Sequence, residues 1–283
     1  SEVKKLIVSA SIFLFAGFFL FAADDPAQKE EEKKDEKSSS GWFGEPEPAM
    51  LELGLGFFYH TYHFETHDDD GRDETQINYR KDLGYEKAYL HFDADFAFRF
   101  KKFKLSAGYT MLNAVSKKAA GRELTFYDAI FNMGEDMKST FNVHLIKLDF
   151  TWYILDLDAG KNLNFKLGPS IRIDMFVTDI RLESTDDKNK KDKFSAPVVP
   201  FPSLGISFET TIFKYSGIFF DINGMYAGKY LGFMDLKSGI RVYPWHWTGI
   251  EFAYRHLLAK ALWQGDGVET EFKGFNMSFI LRF

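Results

Sequence analysis

The feature that most constrains this chain is a strict two-residue alternation of apolar and polar side chains near its end. From position 275 to 283 every odd position is apolar, and most even positions are polar, with Ile280 the exception. Successive side chains of a β-strand point to opposite faces, so the pattern predicts a strand with one apolar and one polar face. The apolar face consists of Phe275, Met277, Phe279, Leu281 and Phe283.

The same alternation can be laid out nine more times upstream. The apolar rows begin at Leu51, Leu90, Phe103, Ile146, Leu163, Leu204, Ile218, Met234 and Thr248. Each row has room for the roughly 9–11 residues that a tilted strand needs to span a bilayer. The sequence therefore predicts an all-β fold, a transmembrane up-and-down antiparallel β-barrel of ten strands. Eight or twelve strands are alternatives, the latter because positions 113–139 could contain a further hairpin.

The composition agrees with apolar side chains that alternate with polar ones along the strands. The chain has 32 Phe and 18% aromatic residues, yet its mean hydropathy lies slightly on the polar side. Membrane-spanning helices would instead require continuous apolar runs.

The predicted inner turns, at 101–102, 156–162, 214–217 and 243–247, are short. Four of the five predicted outer loops, at 65–84, 113–139, 179–199, 227–232 and 256–269, are long, as is typical of outer-membrane barrels.

Aromatic residues gather near the predicted inner turns, where they would form a girdle at the membrane interface. The group comprises Phe98, Phe100, Phe103, Trp152, Tyr153, Phe213, Tyr215, Tyr243, Trp245 and Trp247.

The beginning of the chain reads as a signal peptide over residues 1–23. Lys4 and Lys5 precede an apolar run, and Ala22 and Ala23 offer small residues for cleavage. Residues 24–48 are rich in charge and poor in apolar side chains, which predicts a disordered periplasmic linker. Residues 49–283 would then form the barrel, located in the bacterial outer membrane after export.

The alternating last strand that ends on Phe283 resembles the C-terminal assembly signal of bacterial outer-membrane barrel proteins. The resemblance covers this strand alone and names no specific family. It implies contacts with the barrel assembly machinery and with outer-membrane lipid and lipopolysaccharide. The acidic linker could also meet a periplasmic partner. A net charge of −6 without a basic stripe argues against nucleic acid.

Strand parity also assigns charged residues to the lumen, where acids and bases nearly balance. The predicted inward acids are Glu52, Asp93, Asp95, Asp149, Asp174, Glu209, Asp221, Asp235 and Glu251. The predicted inward bases are Arg99, Lys104, Lys147, Lys166, Arg172, Lys237, Arg241, Arg255 and Arg282, and His91 shares the face of Asp93. Because unpaired buried charges are costly, we expect a salt-bridged and largely closed interior. A slim polar channel is the alternative.

Two partial resemblances to barrel enzymes are present. Asp93 and Asp95, with His91 on the same face, superficially resemble the acidic pair of the omptin proteases, but an Asp-x-His partner on a later strand is missing. The Tyr254-Arg255-His256 triplet resembles the start of the lipid A deacylase signature. That signature needs a Ser two residues after the His, and this chain has Leu258 there.

Three functional hypotheses follow. The first is a non-enzymatic barrel that acts through surface loops or as an envelope structural or anchoring component. The second is a narrow porin-like channel for small solutes, and the third is a surface enzyme. The sequence contains no complete catalytic group, and no cofactor or metal site is predicted. Without cysteine, thiolate ligands and cysteine nucleophiles are excluded.

Overall fold

The computed structural model describes residues 51–67, 77–126, 129–158, 163–187, 190–212, 215–228, 231–263 and 266–283. The predicted signal peptide at 1–23 and the predicted linker at 24–48 lie outside the described residues.

The described residues form fourteen strands and one short helix. In chain order these are β1 (Leu51–His67), β2 (Ile77–Asn78), α1 (Tyr79–Leu83), β3 (Tyr89–Phe100), β4 (Phe103–Ala119), β5 (Leu124–Phe126), β6 (Ala129–Phe131), β7 (Asp136–Trp152), β8 (Leu155–Asp158), β9 (Leu163–Ser184), β10 (Lys191–Ile212), β11 (Ser216–Ala227), β12 (Leu231–Trp245), β13 (Thr248–Trp263) and β14 (Asp266–Arg282). No helix in this part of the chain has the length and apolarity needed to cross a bilayer.

Ten long strands close into a ring. Strands β1, β3, β4, β7, β9, β10, β11, β12, β13 and β14 each pair antiparallel with the next, and β14 pairs back with β1. The predicted ten-stranded up-and-down barrel is confirmed. The hairpin suspected within 113–139 exists as β5 and β6, but it forms a separate two-stranded sheet. The twelve-strand alternative is therefore wrong.

The outer wall of the ring is apolar, and the inside is charged. Leu204, Phe275 and Leu90 are among the most exposed side chains, at 70%, 68% and 64%. Arg255 and Asp174 are buried, at 1% and 0%. A soluble protein would have the opposite distribution. An apolar outer face around a polar interior is the arrangement of a barrel that spans a lipid bilayer.

The barrel strands are longer than their apolar rows because the alternation reverses partway along them. On β9, Ile171 and Ile173 point outward, whereas Ile180 and Leu182 point inward and are 1% exposed. The inward apolar residues form a core with their counterparts on β1, β4, β7, β13 and β14. We call the part of the barrel whose outer wall is apolar the membrane belt. Beyond this belt the strands therefore continue as a cylinder with apolar side chains inside and polar side chains outside.

This continuation corrects the predicted outer loops. Much of 113–139, 179–199 and 256–269 is strand rather than loop. The lipid-facing apolar row does not extend into these segments, because they place their apolar side chains on the inward face. Between β9 and β10 only residues 185–190 separate the strands.

Two members of the predicted inner aromatic girdle are also corrected. Trp152, Trp245 and Trp247 are exposed as expected, but Tyr153 and Tyr243 are buried, at 2% and 6%. The ring of Tyr243 lies under the guanidinium of Arg282, which is 3.5 Å from the ring centroid. Tyr153 similarly lies 5.9 Å from the Lys166 ammonium. Phe213 lies outside the described residues.

A small cap covers the end of the ring opposite Leu51 and Phe283. Asn78 caps α1 by accepting a hydrogen bond from the Lys81 backbone N–H at 2.9 Å, and Gly84 ends the helix in the left-handed conformation, with φ of 80°. Leu124 of β5 and Phe131 of β6 are each 0% exposed. The cap therefore completes the apolar core of the outer cylinder.

We predict that Phe96→Lys lowers the free energy of unfolding by roughly 2–4 kcal/mol, the cost of placing a charge against mid-bilayer lipid. The side chain of Phe96 is 40% exposed on the outer wall. Equilibrium unfolding of the barrel refolded into lipid vesicles measures the change.

The matched control is Ala97→Lys, because Ala97 lines the lumen next to Glu52. Equal losses at both positions would contradict the assignment of the outer face. Ala253, which has the same inward parity, is unsuitable as a control. Its side chain is only 4% exposed. It also lies so close to β12 that a Cβ atom added to Gly239 would come within 2.9 Å of the Ala253 Cβ, so a lysine at position 253 would clash.

Candidate functional site

The lumen is crossed by ionic side chains at three heights, which we call the lower, middle and upper layers. In the lower layer, nearest Leu51 and Phe283, Arg99 Nη1 donates to Glu209 Oε2 at 2.8 Å, and Arg99 Nη2 lies 3.2 Å from Glu52 Oε2. Lys104 Nζ is 2.7 Å from Glu209 Oε1. Arg282 Nε donates to Glu52 Oε1 at 2.9 Å. Glu209 thus joins β10 to β3, which lies four strands away around the ring.

The middle layer is centred on two lysines. Lys147 Nζ is 2.7 Å from Asp95 Oδ1, and Lys237 Nζ is 3.2 Å from Asp95 Oδ2. Lys237 also lies 2.8 Å from Glu251 Oε1, whose second oxygen accepts from Arg241 Nε at 2.8 Å. Because β12 and β3 are four strands apart, the contact between Lys237 and Asp95 spans the barrel interior.

The upper layer is the most deeply buried. Asp235 accepts two hydrogen bonds from Arg255, each at 2.9 Å, and one from Arg172 Nη2 at 2.8 Å. Arg172 Nε also donates to Asp174 at 2.8 Å. Arg255 Nη1 reaches across the lumen to Thr110 Oγ1 on β4, at 3.1 Å. The paired arginine forks satisfy several carboxylate oxygens in fixed geometry.

Most of the charged residues predicted for the lumen are brought together in these layers. Asp221 instead accepts from the Ser207 hydroxyl at 2.5 Å, and Lys166 lies 3.7 Å from Asp156. Asp149 accepts hydroxyl hydrogen bonds from Thr151 at 2.9 Å and Ser106 at 3.5 Å, without a basic partner within ion-pair distance among the described residues. Asp93 accepts from the Thr110 hydroxyl at 2.5 Å and from the Asn276 amide at 2.9 Å, and its carboxylate is 3.8 Å from Arg255. Polar neighbours thus replace an ion pair at Asp149, and at Asp93 they add to the longer contact with Arg255.

An aromatic layer fills the interior above the upper ionic layer. Phe141 of β7 meets Phe64 and Tyr62 of β1, with ring centroids 5.0 and 5.6 Å apart, and meets Phe272 of β14 at 6.5 Å. Strand β7 lies three positions from β1 around the ring, so these contacts also cross the lumen. On the other wall, Phe176, Phe201 and Phe233 form a second cluster with centroids 5.3 to 6.0 Å apart.

Sequence reasoning missed this aromatic layer, although a signal was present. Even positions from Phe58 to Phe64 carry Phe, His, Tyr and Phe, which is an apolar and aromatic row on the face assigned to the polar lumen. The row begins just where the outward apolar row of β1 ends at Tyr59. An apolar row that changes from one strand face to the other is therefore the sequence signal of this layer.

His91 belongs to the aromatic layer rather than to an acidic pair. Its Nδ1 accepts from the Asn113 backbone N–H at 3.1 Å, and its Nε2 lies 2.9 Å from the Tyr62 hydroxyl. Because a backbone N–H can only donate, Nδ1 carries no proton, and the neutral ring donates from Nε2. Asp93 and Asp95 are occupied by their own partners in the ionic layers. The arrangement does not place the three side chains around one reacting atom.

The Tyr254-Arg255-His256 triplet is divided between two surfaces. Arg255 points into the upper layer, whereas His256 points outward and its Nε2 lies 2.8 Å from Glu271 Oε1. The described residues also form no group of three or more His, Asp or Glu side chains that could hold a metal ion.

A cavity of about 100 Å³ remains among the ionic layers. It is lined by charged side chains from all three layers, including Lys104, Lys147 and Asp235. A polar space of this size suits a few buried water molecules that complete the hydrogen bonding of the carboxylates.

Solved structures to which the chain is similar include the outer-membrane protease OmpT from Escherichia coli, at 9% identity, with 82% of this chain and 97% of that chain covered and a TM-score of 0.43. The P. putida toluene transporter TodX has 9% identity, coverage of 86% and 93%, and a TM-score of 0.30. Ail, the attachment invasion locus protein of Yersinia pestis, has 6% identity, coverage of 82% and 99%, and a TM-score of 0.28. No protein-family model matches the chain, and no curated protein matches it.

The fold itself defines the class of protein. Ten antiparallel strands close into a ring, the outer wall is an apolar belt, and the interior is charged. The chain is a small β-barrel protein of the bacterial outer-membrane type.

We predict that Glu209→Gln lowers the free energy of unfolding by roughly 3–5 kcal/mol, because it leaves two buried cations, Arg99 and Lys104, with less compensation. Denaturant titration of the refolded barrel measures the loss. The control is Glu183→Gln, whose exposed partner Lys138 lies 3.8 Å away. That pair should contribute no more than about 1 kcal/mol. Similar losses for both variants would contradict the structural role of the lower layer.

Proposed function

We propose that this protein is a sealed, non-enzymatic outer-membrane barrel that acts through its outer surface, as an envelope structural or anchoring component. The observation that carries the proposal is the filled interior. Three ionic layers and an aromatic layer connect opposite walls of the ring. A passive pore needs a continuous wet path, and cross-lumen contacts at four heights oppose one.

The outer end supports the proposal because it is built as an ordered platform. The Ala120 backbone N–H donates to the Glu135 carbonyl at 2.9 Å, and the Gly134 N–H donates to the Ala120 carbonyl at 2.7 Å. Lys190 Nζ donates to Glu135 Oε2 at 2.6 Å, which ties the connection after β9 to the β5–β6 hairpin. A rigid surface loses little conformational entropy when it binds a partner.

Several further features belong to the same proposal. The protein would be exported through the signal peptide at 1–23 and assembled by the barrel assembly machinery. Its belt would contact outer-membrane lipid and lipopolysaccharide, and the linker at 24–48 could meet a periplasmic partner. The absence of enzymatic activity is proposed because His91, Asp93 and Asp95 are engaged in separate structural contacts.

A narrow channel is the second candidate. The cavity of about 100 Å³ favours it, because this polar space already lies inside the lumen among the ionic layers. A channel would require the aromatic layer to open on the outer side.

We expect the refolded barrel to give no stable conductance steps in a planar bilayer, because each ionic layer and the aromatic layer block the lumen. Single-channel recording tests this, with a porin of known conductance in the same bilayer as the positive control. Stable steps from the unaltered protein would overturn the sealed barrel and favour the channel. A variant that combines Phe141→Ala with Phe272→Ala thins only the aromatic layer and should also stay silent, because the three ionic layers remain.

The platform should loosen in acid. The hydrogen bond from Lys190 lowers the pKa of Glu135 to about 2, below its usual 4.5. A carboxyl with a depressed folded pKa contributes stability above its unfolded pKa, and this contribution is lost as pH falls from about 4.5 towards 2. Hydrogen exchange of the amides at 131–135, corrected for intrinsic rates, should therefore accelerate over that range.

Glu135→Gln is the control for this prediction. It should raise the exchange at neutral pH and remove most of the acid dependence. An unchanged acid dependence in Glu135→Gln would show that other groups hold the platform.

A further inference from the structure

The lipid-facing wall contains a groove of about 470 Å³ across β12, β13, β14 and β1. Its lining is almost entirely apolar and includes Ile240, Phe252, Phe275 and Met277. The volume falls within the roughly 300–1,000 Å³ of small-molecule sites. A smooth barrel wall would not have such a recess, so its origin and its occupant need an explanation.

The recess arises where a small residue stands in a row of large ones. Ser238 of β12 points outward and is flanked across the strands by Phe220 of β11 and Tyr254 of β13. The Tyr254 ring packs edge-on against Phe275, with centroids 5.7 Å apart. The rings of Tyr254 and Phe275 therefore form a side of the groove, and the short side chain of Ser238 leaves space beside them.

The strand register places the groove in the outer half of the membrane belt. Tyr59, Phe275, Tyr254 and Ser238 are successive cross-strand partners on β1, β14, β13 and β12, and they form the upper rung of the groove. Two residues further out on β14 the outward side chain is Lys273. The groove thus ends where the outer wall changes from apolar to charged, directly below the level of lipid headgroups.

The chemistry of the rim points to a lipid with an ester and an anionic headgroup. The Ser238 hydroxyl has no hydrogen-bond partner among the described residues, and a hydroxyl facing lipid gains from an acceptor such as an acyl ester carbonyl. Lys273 is half exposed above the groove, and its ammonium lies 3.1 Å from Glu271 Oε1. The same carboxylate oxygen is 2.8 Å from His256 Nε2, so Lys273 and His256 share one carboxylate partner at this rim.

We infer that this groove binds one acyl chain of a phosphorylated outer-leaflet glycolipid of the lipopolysaccharide type. The chain lies along Phe252, Ile240 and Met277, its ester carbonyl accepts from Ser238, and a headgroup phosphate contacts Lys273. Because the groove opens to the outside within the membrane belt, lipid acyl chains surround it and can enter it.

Native mass spectrometry of the full chain, released from detergent micelles in the presence of lipopolysaccharide, tests the site. The unaltered barrel should retain one lipid. Ser238→Trp fills the groove and should lower retention at least tenfold. Ala107→Trp makes the same kind of change at a small outward residue on β4, outside this groove, and should bind as the unaltered protein does.

Two further variants separate the parts of the site without filling it. Ser238→Ala and Lys273→Gln should each weaken retention several-fold, and heat-sensitive migration on gels shows whether each barrel is folded. Equal retention in Ser238→Trp and Ala107→Trp would overturn the site. Equal retention of phosphatidylethanolamine and lipopolysaccharide by the unaltered barrel would overturn the assignment of the lipid.

Discussion

The closed hydrogen-bonded ring is the constraint on which the rest of this structure depends. Lipid offers no hydrogen bonds, so every backbone N–H and C=O in the belt must be paired within the sheet. The last pairing joins the two ends of the barrel, where Leu51 N–H donates to the Phe283 carbonyl at 3.2 Å and Phe283 N–H donates to the Leu51 carbonyl at 2.9 Å. Closure removes both sheet edges and fixes which side chains face lipid and which face the lumen.

The interior follows from closure in a narrow ring. Inward charges in the belt are cut off from bulk water, so they are tolerable only with partners and hydrogen bonds. The three ionic layers supply these partners across the lumen. Above the belt the outside is water, and burial of apolar side chains becomes favourable inside. The alternation therefore reverses, and aromatic rings such as Phe141 replace the ion pairs.

The ionic layers and the aromatic layer together bear on the function that we propose. The ionic layers fix the walls of the barrel to one another, and the aromatic layer and the cap close its outer end. Among the described residues, the surfaces open to contact include the platform held by Glu135 and Lys190 and the lipid-facing groove at Ser238. In the function that we propose, such surface sites carry the role of the protein, because a fold alone does not define a function.

The sequence by itself determined the class of fold, predicted ten strands for the belt and assigned the parity of most of its side chains. It could do so because a period of two is a local signal, visible within each strand, as in the row from Phe275 to Phe283. It also placed Glu52, Arg99 and Asp235 inside. Only the tertiary structure decided which charges meet, since Glu209 finds Arg99 four strands away through the register and tilt of the whole ring. The full strand lengths, the inward turn of Tyr153 and Tyr243, and the groove beside Ser238 were decided in the same way. Each of these features depends on whether a side chain is surrounded by water, by lipid or by the opposite wall of the barrel. Closure of the ring sets these surroundings, and neighbours in sequence do not.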